Sequence, residues 1–218
     1  METNLKTIFY ESSYRRKKIE PNVALVELER GLRSPDPGKI VESVLLTVEL
    51  INNFPFPQIV NTIFLKLSDL FKNTSVHSHP FCISIHQFYS DLLIYFSLDR
   101  STNFVRMKIL RAFQQSKGHH QKIINVETVT LQITTVLTSN DPIARAIALR
   151  VLASLSSVCS EKLSIHHSIR KCFDTHNPHE LDASIFAIEK FSQSSAVFAK
   201  SIIQPLSSKI NSLSSQTI

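Results

Sequence analysis

A chain of 218 residues that is 43% hydrophobic and 19% charged is long enough to bury a core, as one domain or as a short repeat array. Its net charge of +6 comes from 24 basic residues spread among 18 acidic ones, which permits contact with nucleic acid without demanding it. Only Gly31, Gly38 and Gly118 are glycines, too far apart for a G-x-G-x-x-G turn or a phosphate loop and too few for the tight turns of sandwiches and barrels, so the composition points to an all-α protein.

Residues 1–20 read as a flexible basic tail. The stretch "METNLKTIFYESSYRRKK" has no apolar core of the kind a signal peptide needs, and "RRKK" at 15–18 reads as a nuclear address, a phosphate contact or a solvated tail. Residues 21–210 read as one α-helical repeat domain. Leu25, Leu28 and Leu32 line one face of a first helix, and Ile40, Val41, Val44, Leu45, Val48 and Ile51 line the next. Pro55 and Pro57 in "FPFPQ" then break one helix and start another, whose apolar face carries Ile59, Ile63, Leu67 and Leu70.

Residues 75–100 are aromatic-rich and match no repeat. They read as an atypical insertion, either an extra helix packed across the turn or translated non-coding sequence. The apolar run at 80–98 is interrupted by His86, Gln87 and Asp91, so no membrane span is expected. The string "STNFVRMKILRAF" predicts a helix opening at about Asn103, and after "SKGHHQK" another carries Val126, Val129, Ile133, Val136 and Leu137. "SNDPIARAIALRVLASLSSV" is followed by Leu163, Ile169 and Phe173, and "HNPHELDASIFAIEKF" by Val197, Phe198 and Ile202. Four helix pairs result, ahead of a polar tail at 211–218.

Their starts share one register. Asp36-Pro37, Asp141-Pro142 and Asn177-Pro178 each place a capping side chain before a proline at the first helical position, and Thr102 takes the same place when Arg106 is laid over Arg145. The steps between positions 36, 102, 141 and 177 are 66, 39 and 36 residues, and excising 75–100 shortens the first to 40. A period of 36–40 with two helices per unit predicts a right-handed α-solenoid of HEAT- or armadillo-like hairpins. The helix after Pro142 is apolar on nearly every face, and only a neighbour on each side plus a hairpin partner can cover it, so Ile143, Ile147 and Leu152 are expected to be buried. Its two charges, Arg145 and Arg150, belong to the same structural set, with Arg145 expected to fork onto Asp141 or onto a carboxylate of an adjacent repeat.

Little in the chain suggests chemistry. Cys82, Cys159 and Cys172 are odd in number and lack zinc-finger spacing, which argues for reduced thiols. Cys172, His176 and His179, with His166 and His167 one helix back, span a turn rather than two facing elements, so capping and core roles are expected and no metal or other cofactor. No nucleophile set or carboxylate pair stands out, and no enzyme or small-molecule substrate is expected. The rival to a protein-binding scaffold is direct nucleic-acid binding along a groove lined by Arg106, Lys108, Arg111, Lys117 and Lys122. A generic HEAT-type adaptor differs from the first reading only by partner.

Four strings in order, "ALVELERGLRS" from Ala24, "PFPQIVNTIFLKLSDLF" from Pro55, "SNDPIARAIALR" from Ser139 and "HHSIR" from His166, resemble the N-terminal helical region of the Integrator subunit 7 family. The likeness runs from about residue 24 to about residue 199, with its gap at 75–100. It implies a nuclear subunit, also allowed in the cytoplasm, that assembles with other Integrator subunits and through them with RNA polymerase II. The family serves small nuclear RNA 3′-end processing and transcription attenuation and is linked to the DNA damage response. Endonuclease and phosphatase activities lie in other subunits of that assembly, so the resemblance implies a scaffold without catalytic residues. The chain covers only the beginning of the family's length, and its insertion falls inside the second repeat.

Overall fold

The computed structural model describes residues 20–74 and 91–215, with side chains at 20–74 and 102–211. Ten α-helices occur in order among these residues: α1 (Pro21–Leu32), α2 (Pro37–Asn53), α3 (Pro57–Asn73), α4 (Asp91–Gln115), α5 (Val126–Val136), α6 (Pro142–Ser154), α7 (Ser156–Cys159), α8 (Leu163–Phe173), α9 (Pro178–Ser194) and α10 (Ala196–Ser215). A 3-10 segment, Lys117–Lys122, joins α4 to α5, and no strand occurs among the described residues. The basic run at 15–18, residues 75–90 of the insertion, Cys82 and His86 lie outside the described residues.

Helix starts follow from local chemistry. A proline opens α1, α2, α3, α6 and α9, where its missing N–H costs nothing because the first turn has no partner to offer it. Asp36 Oδ1 accepts the Gly38 amide at 2.8 Å, Asp141 Oδ1 accepts that of Ile143 at 2.8 Å, and Asn177 Oδ1 accepts those of His179 and Glu180 at 3.0 and 3.2 Å. One helix start differs from expectation. α4 begins at Asp91 and runs unbroken through Thr102, so Thr102 and Asn103 occupy the register of a helix start while lying inside a helix, and residues 91–100 continue into the repeat.

The helices stack in two layers. α2, α4, α6 and α9 lie side by side, each touching the next; α1 touches α3, α3 touches α5, α5 touches α7, and α8 touches α10 behind them. The helices that carry the registered positions Asp36, Thr102, Asp141 and Asn177 are therefore neighbours, and the chain is an all-α helical repeat. The first α1–α2 junction is close enough to require a glycine: a Cβ on Gly31 would sit 1.9 Å from Ser43 Oγ.

Burial explains the composition of α6. It meets α4 on one side, α9 on the other, and α5 and α7 behind, and Ala144, Ala146, Ile147, Ala148, Leu149, Val151, Leu152 and Ala153 are all buried. Ile143 is the correction to that picture, since it keeps 36% of its surface exposed in the first turn. Aromatic residues fill the wider gaps between layers. Phe64 and Phe113 pack edge-on with centroids 4.9 Å apart beside His120, and Phe191, Phe198 and His166 form a second cluster with His166 and Phe198 at 4.7 Å.

Candidate functional site

Polar groups between repeats gather near the N-terminal ends of α6 and α9. Asn103 Nδ2 donates to Asp141 Oδ2 at 2.6 Å, so one Asp141 oxygen caps its own helix while the other ties α4 to α6. One repeat further on, Arg145 donates through Nε to Glu180 Oε1 at 2.7 Å and through Nη2 to Oε2 at 2.6 Å, while its Nη1 reaches the Ser139 carbonyl at 2.7 Å. The fork matches the two carboxylate oxygens in geometry as well as charge. Asp141 is not its acceptor; the carboxylate comes from the adjacent repeat. Thr175 Oγ1 adds a third donor to Glu180 at 2.9 Å.

These bonds set the charge states. Burial of Glu180 favours its neutral form, but the bonds from Arg145 and Thr175 outweigh burial and hold the carboxyl below its ordinary pKa. The bond to Glu180 likewise raises the pKa of Arg145. Cys172 lies beside the pair, and burial, reinforced by the Glu180 charge, pushes its thiol up to about 11. Burial pushes Cys159 up to about 12.

Arg150, further along α6, pairs with Asp182 of α9 and stacks over Phe186 at 5.3 Å. Pro37, Pro142 and Pro178 serve as the first residues of α2, α6 and α9.

Of the five basic residues considered for nucleic acid, Arg106 and Lys122 are tied to backbone carbonyls. Arg106 is only 3% exposed: its Nε donates to the Phe71 carbonyl at 3.3 Å and its Nη1 to Asn103 Oδ1 at 3.1 Å, inside the seam between α3 and α4. A phosphate contact by Arg106 is therefore corrected to a structural role, because its guanidinium holds a helix-end carbonyl as Arg145 holds that of Ser139. Lys122 donates from Nζ to the Pro55 carbonyl at 3.0 Å. Lys108 lies over the Phe104 ring, and Arg111 and Lys117 are exposed.

Other candidate chemistry is accounted for by packing. His166 is buried with Nε2 bonded to the Ser160 carbonyl, and among the described residues no group of three or more His, Cys, Asp or Glu side chains converges as a metal site would need. A cleft of about 600 Å³ opens in the second layer between α1, α3 and α5. Among its charges Glu29 pairs with Lys66 at 2.9 Å and with Arg33 at 2.7 Å, and Asp69 accepts from Asn73 Nδ2 at 2.9 Å. Among the described residues no helix is long and apolar enough to cross a membrane.

Glu180 and Asp182 are inter-repeat partners that sequence reasoning left unmarked, and Asn103 was read there only as a helix start. The signal was present for one of them, since Glu180 stands three residues after a capping Asn177, where a carboxylate also favours a helix N-terminus.

Comparison with known proteins supplies the context for this helical repeat. The chain matches a family model described as Integrator complex subunit 7, N-terminal, over residues 25–77 and 76–217. It is 36% identical over 208 residues to Integrator complex subunit 7 of Danio rerio and of Homo sapiens, covering 95% of this chain and 19% of each relative. The Integrator complex subunit 7 homolog of Dictyostelium discoideum is 35% identical over 199 residues, 91% of this chain and 17% of that protein. The chain thus spans about a fifth of the length of the curated relatives it matches. A helical repeat whose sequence is matched in order over nearly its whole length belongs to the Integrator complex subunit 7 family, within that family's N-terminal region.

Proposed function

We propose that this chain is a non-catalytic scaffold subunit of the Integrator assembly, working in the nucleus by presenting the two long faces of a right-handed helical-repeat array to partner subunits. On this reading it supports small nuclear RNA 3′-end processing and attenuation of transcription by RNA polymerase II, with a part in the DNA damage response. The observation that carries the proposal is the family match across 95% of the chain. The physical arrangement agrees with it: buried polar groups are engaged in holding repeats together, as in the Arg145–Glu180 fork, and the array leaves broad helical faces for partners. The repeat domain is read as spanning about 21–210, with residues 91–100 joined to it as the first turns of α4.

Direct nucleic-acid binding is the second reading, and Arg106 and Lys122 count against it because both are held by backbone carbonyls. The deciding experiment is affinity purification of the tagged chain from nuclear extract, with immunoblots for other Integrator subunits. Their enrichment is expected, surviving nuclease treatment. Absence of every Integrator subunit would remove the assignment and leave the fold untouched.

A further inference from the structure

Across the junction of α4 and α6 the structure presents an apolar patch that the inter-repeat bonds position without covering. The Asn103–Asp141 bond at 2.6 Å fixes α4 against the first turn of α6. Beside those two residues stand Phe104, 52% exposed, and Ile143, 36% exposed, and one turn along α4 stands Met107, 45% exposed. Lys108 Nζ lies 4.8 Å from the Phe104 ring centroid, and exposed Arg111 comes next on the same helix.

The charges of α4 beside this patch are basic, and Asp141 at its edge is taken up by its own helix cap and by Asn103. From residue 102 to 115 in α4 and from 142 to 154 in α6 there is no Asp or Glu. On the flanking helices, Asp182 of α9 pairs with Arg150 and Glu189 with Lys190, while Glu42 and Glu49 lie on α2. Among the described residues no salt bridge engages Lys108 or Arg111. A Phe and a Met with a basic rim have the anatomy of a protein-binding hot spot, and the rim favours an acidic partner. A phosphate backbone alone would offer Met107 and Ile143 nothing.

We propose that the α4–α6 face docks an acidic protein segment, whose apolar side chains insert among Phe104, Met107 and Ile143 while its carboxylates face Lys108 and Arg111. This rests on the protein-binding reading above and adds the place and the chemistry of the partner.

The test uses the full chain and defined probes: a fluorescent amphipathic peptide with Leu and Phe on one helical face and Glu on the other, its Lys-for-Glu counterpart, and a short single-stranded RNA, each titrated by fluorescence anisotropy at low and at physiological salt. The acidic peptide is expected to bind about tenfold or more tighter than the basic one, and Met107→Asp and the pair Lys108→Glu with Arg111→Glu are each expected to weaken it by about tenfold. All three positions are at the surface, and thermal melts check that the variants fold. Equal binding of both peptides, or binding indifferent to these variants, overturns the inference. So does RNA that binds tighter and loses affinity with the charge variant alone. If the tagged chain retains Integrator subunits while the peptide results fail, only the docking face falls; if it retains none while the acidic peptide binds as described, only the Integrator assignment falls.

Discussion

Arg145 of α6 and Glu180 of α9 form a forked ion pair across a repeat junction, with nitrogen to oxygen distances of 2.7 and 2.6 Å. Glu180 is 3% exposed and the Arg145 side chain 21%, so truncating the arginine would leave a nearly buried carboxylate with Thr175 as its remaining side-chain hydroxyl donor. Arg145→Ala is expected to cost about 3–5 kcal/mol in chemical denaturation. The double variant Arg145→Met with Glu180→Leu removes both charges and is expected to cost much less than the two single changes combined. Additive losses would mean that the two residues do not act as a pair.

The two Asp caps differ in one respect, and the difference is measurable. Asp36 and Asp141 each accept an amide at 2.8 Å, but only Asp141 also accepts from a neighbouring repeat, through Asn103. Asp36→Ala is expected to cost about 1 kcal/mol, the ordinary value of a cap, and Asp141→Ala about 2 kcal/mol. Asn103→Ala should close most of that gap when combined with Asp141→Ala. Equal costs for the two caps would show that the bond between repeats contributes nothing.

What could be read in advance was what depends on local periodicity. Prolines after capping side chains and apolar residues at helical spacing mark the openings of α2, α6 and α9, and the four registered starts lead directly to the side-by-side first layer. The start of α4 was not legible, because residues 75–100 match no repeat and the registered start at Thr102 falls inside the helix. Arg106 was misread as a surface cation for a related reason: spacing places a residue on a helix face but does not say that the carbonyl of Phe71 waits beneath it. Ile143 was misread in the opposite direction, since an apolar residue in a first turn can stay partly exposed.

The two described cysteines should be chemically quiet in the folded chain. With Cys159 pushed up to about 12 and Cys172 to about 11, almost no thiolate exists near pH 8, and both side chains are buried. Iodoacetamide at pH 8, read by peptide mass spectrometry, is expected to leave both unmodified in the native protein and to label both in denaturant. Native labelling at the rate of a free thiol would contradict the packing of α7 and α8.

Gly31 makes the α1–α2 junction sensitive to a single methyl group. An added Cβ meets Ser43 Oγ at 1.9 Å and Ser43 Cβ at 3.0 Å, and that hydroxyl is itself held by the Lys39 carbonyl at 2.8 Å. Gly31→Ala is expected to destabilise by about 1–3 kcal/mol despite the better helix propensity of alanine. Adding Ser43→Ala relieves the closer conflict and leaves the Cβ approach, so it should recover part of the loss. A stabilising Gly31→Ala would mean that the helices separate at no cost.

Acid should weaken the fold with two successive onsets. His120 is fully buried against Phe64, with Nε2 2.9 Å from the Phe113 carbonyl. Burial lowers its pKa from 6.5; the carbonyls of Phe113 and Ser154 work the other way, and the Lys117 and His119 charges reinforce the lowering. The unfolded chain therefore takes up this proton first as pH falls, so the contribution is whole above about 6.5 and is lost as pH drops through the lower folded value. Glu180 is also lowered, from 4.5, so its contribution is whole above about 4.5 and disappears only below that. Denaturation midpoints from pH 7.5 downward are expected to fall first through the histidine window and again through the carboxylate window. His120→Gln should flatten the first decline and Glu180→Gln the second, even though each variant begins less stable at neutral pH. If His120→Gln leaves the decline below pH 6.5 unchanged, the buried imidazole is not the group that titrates there.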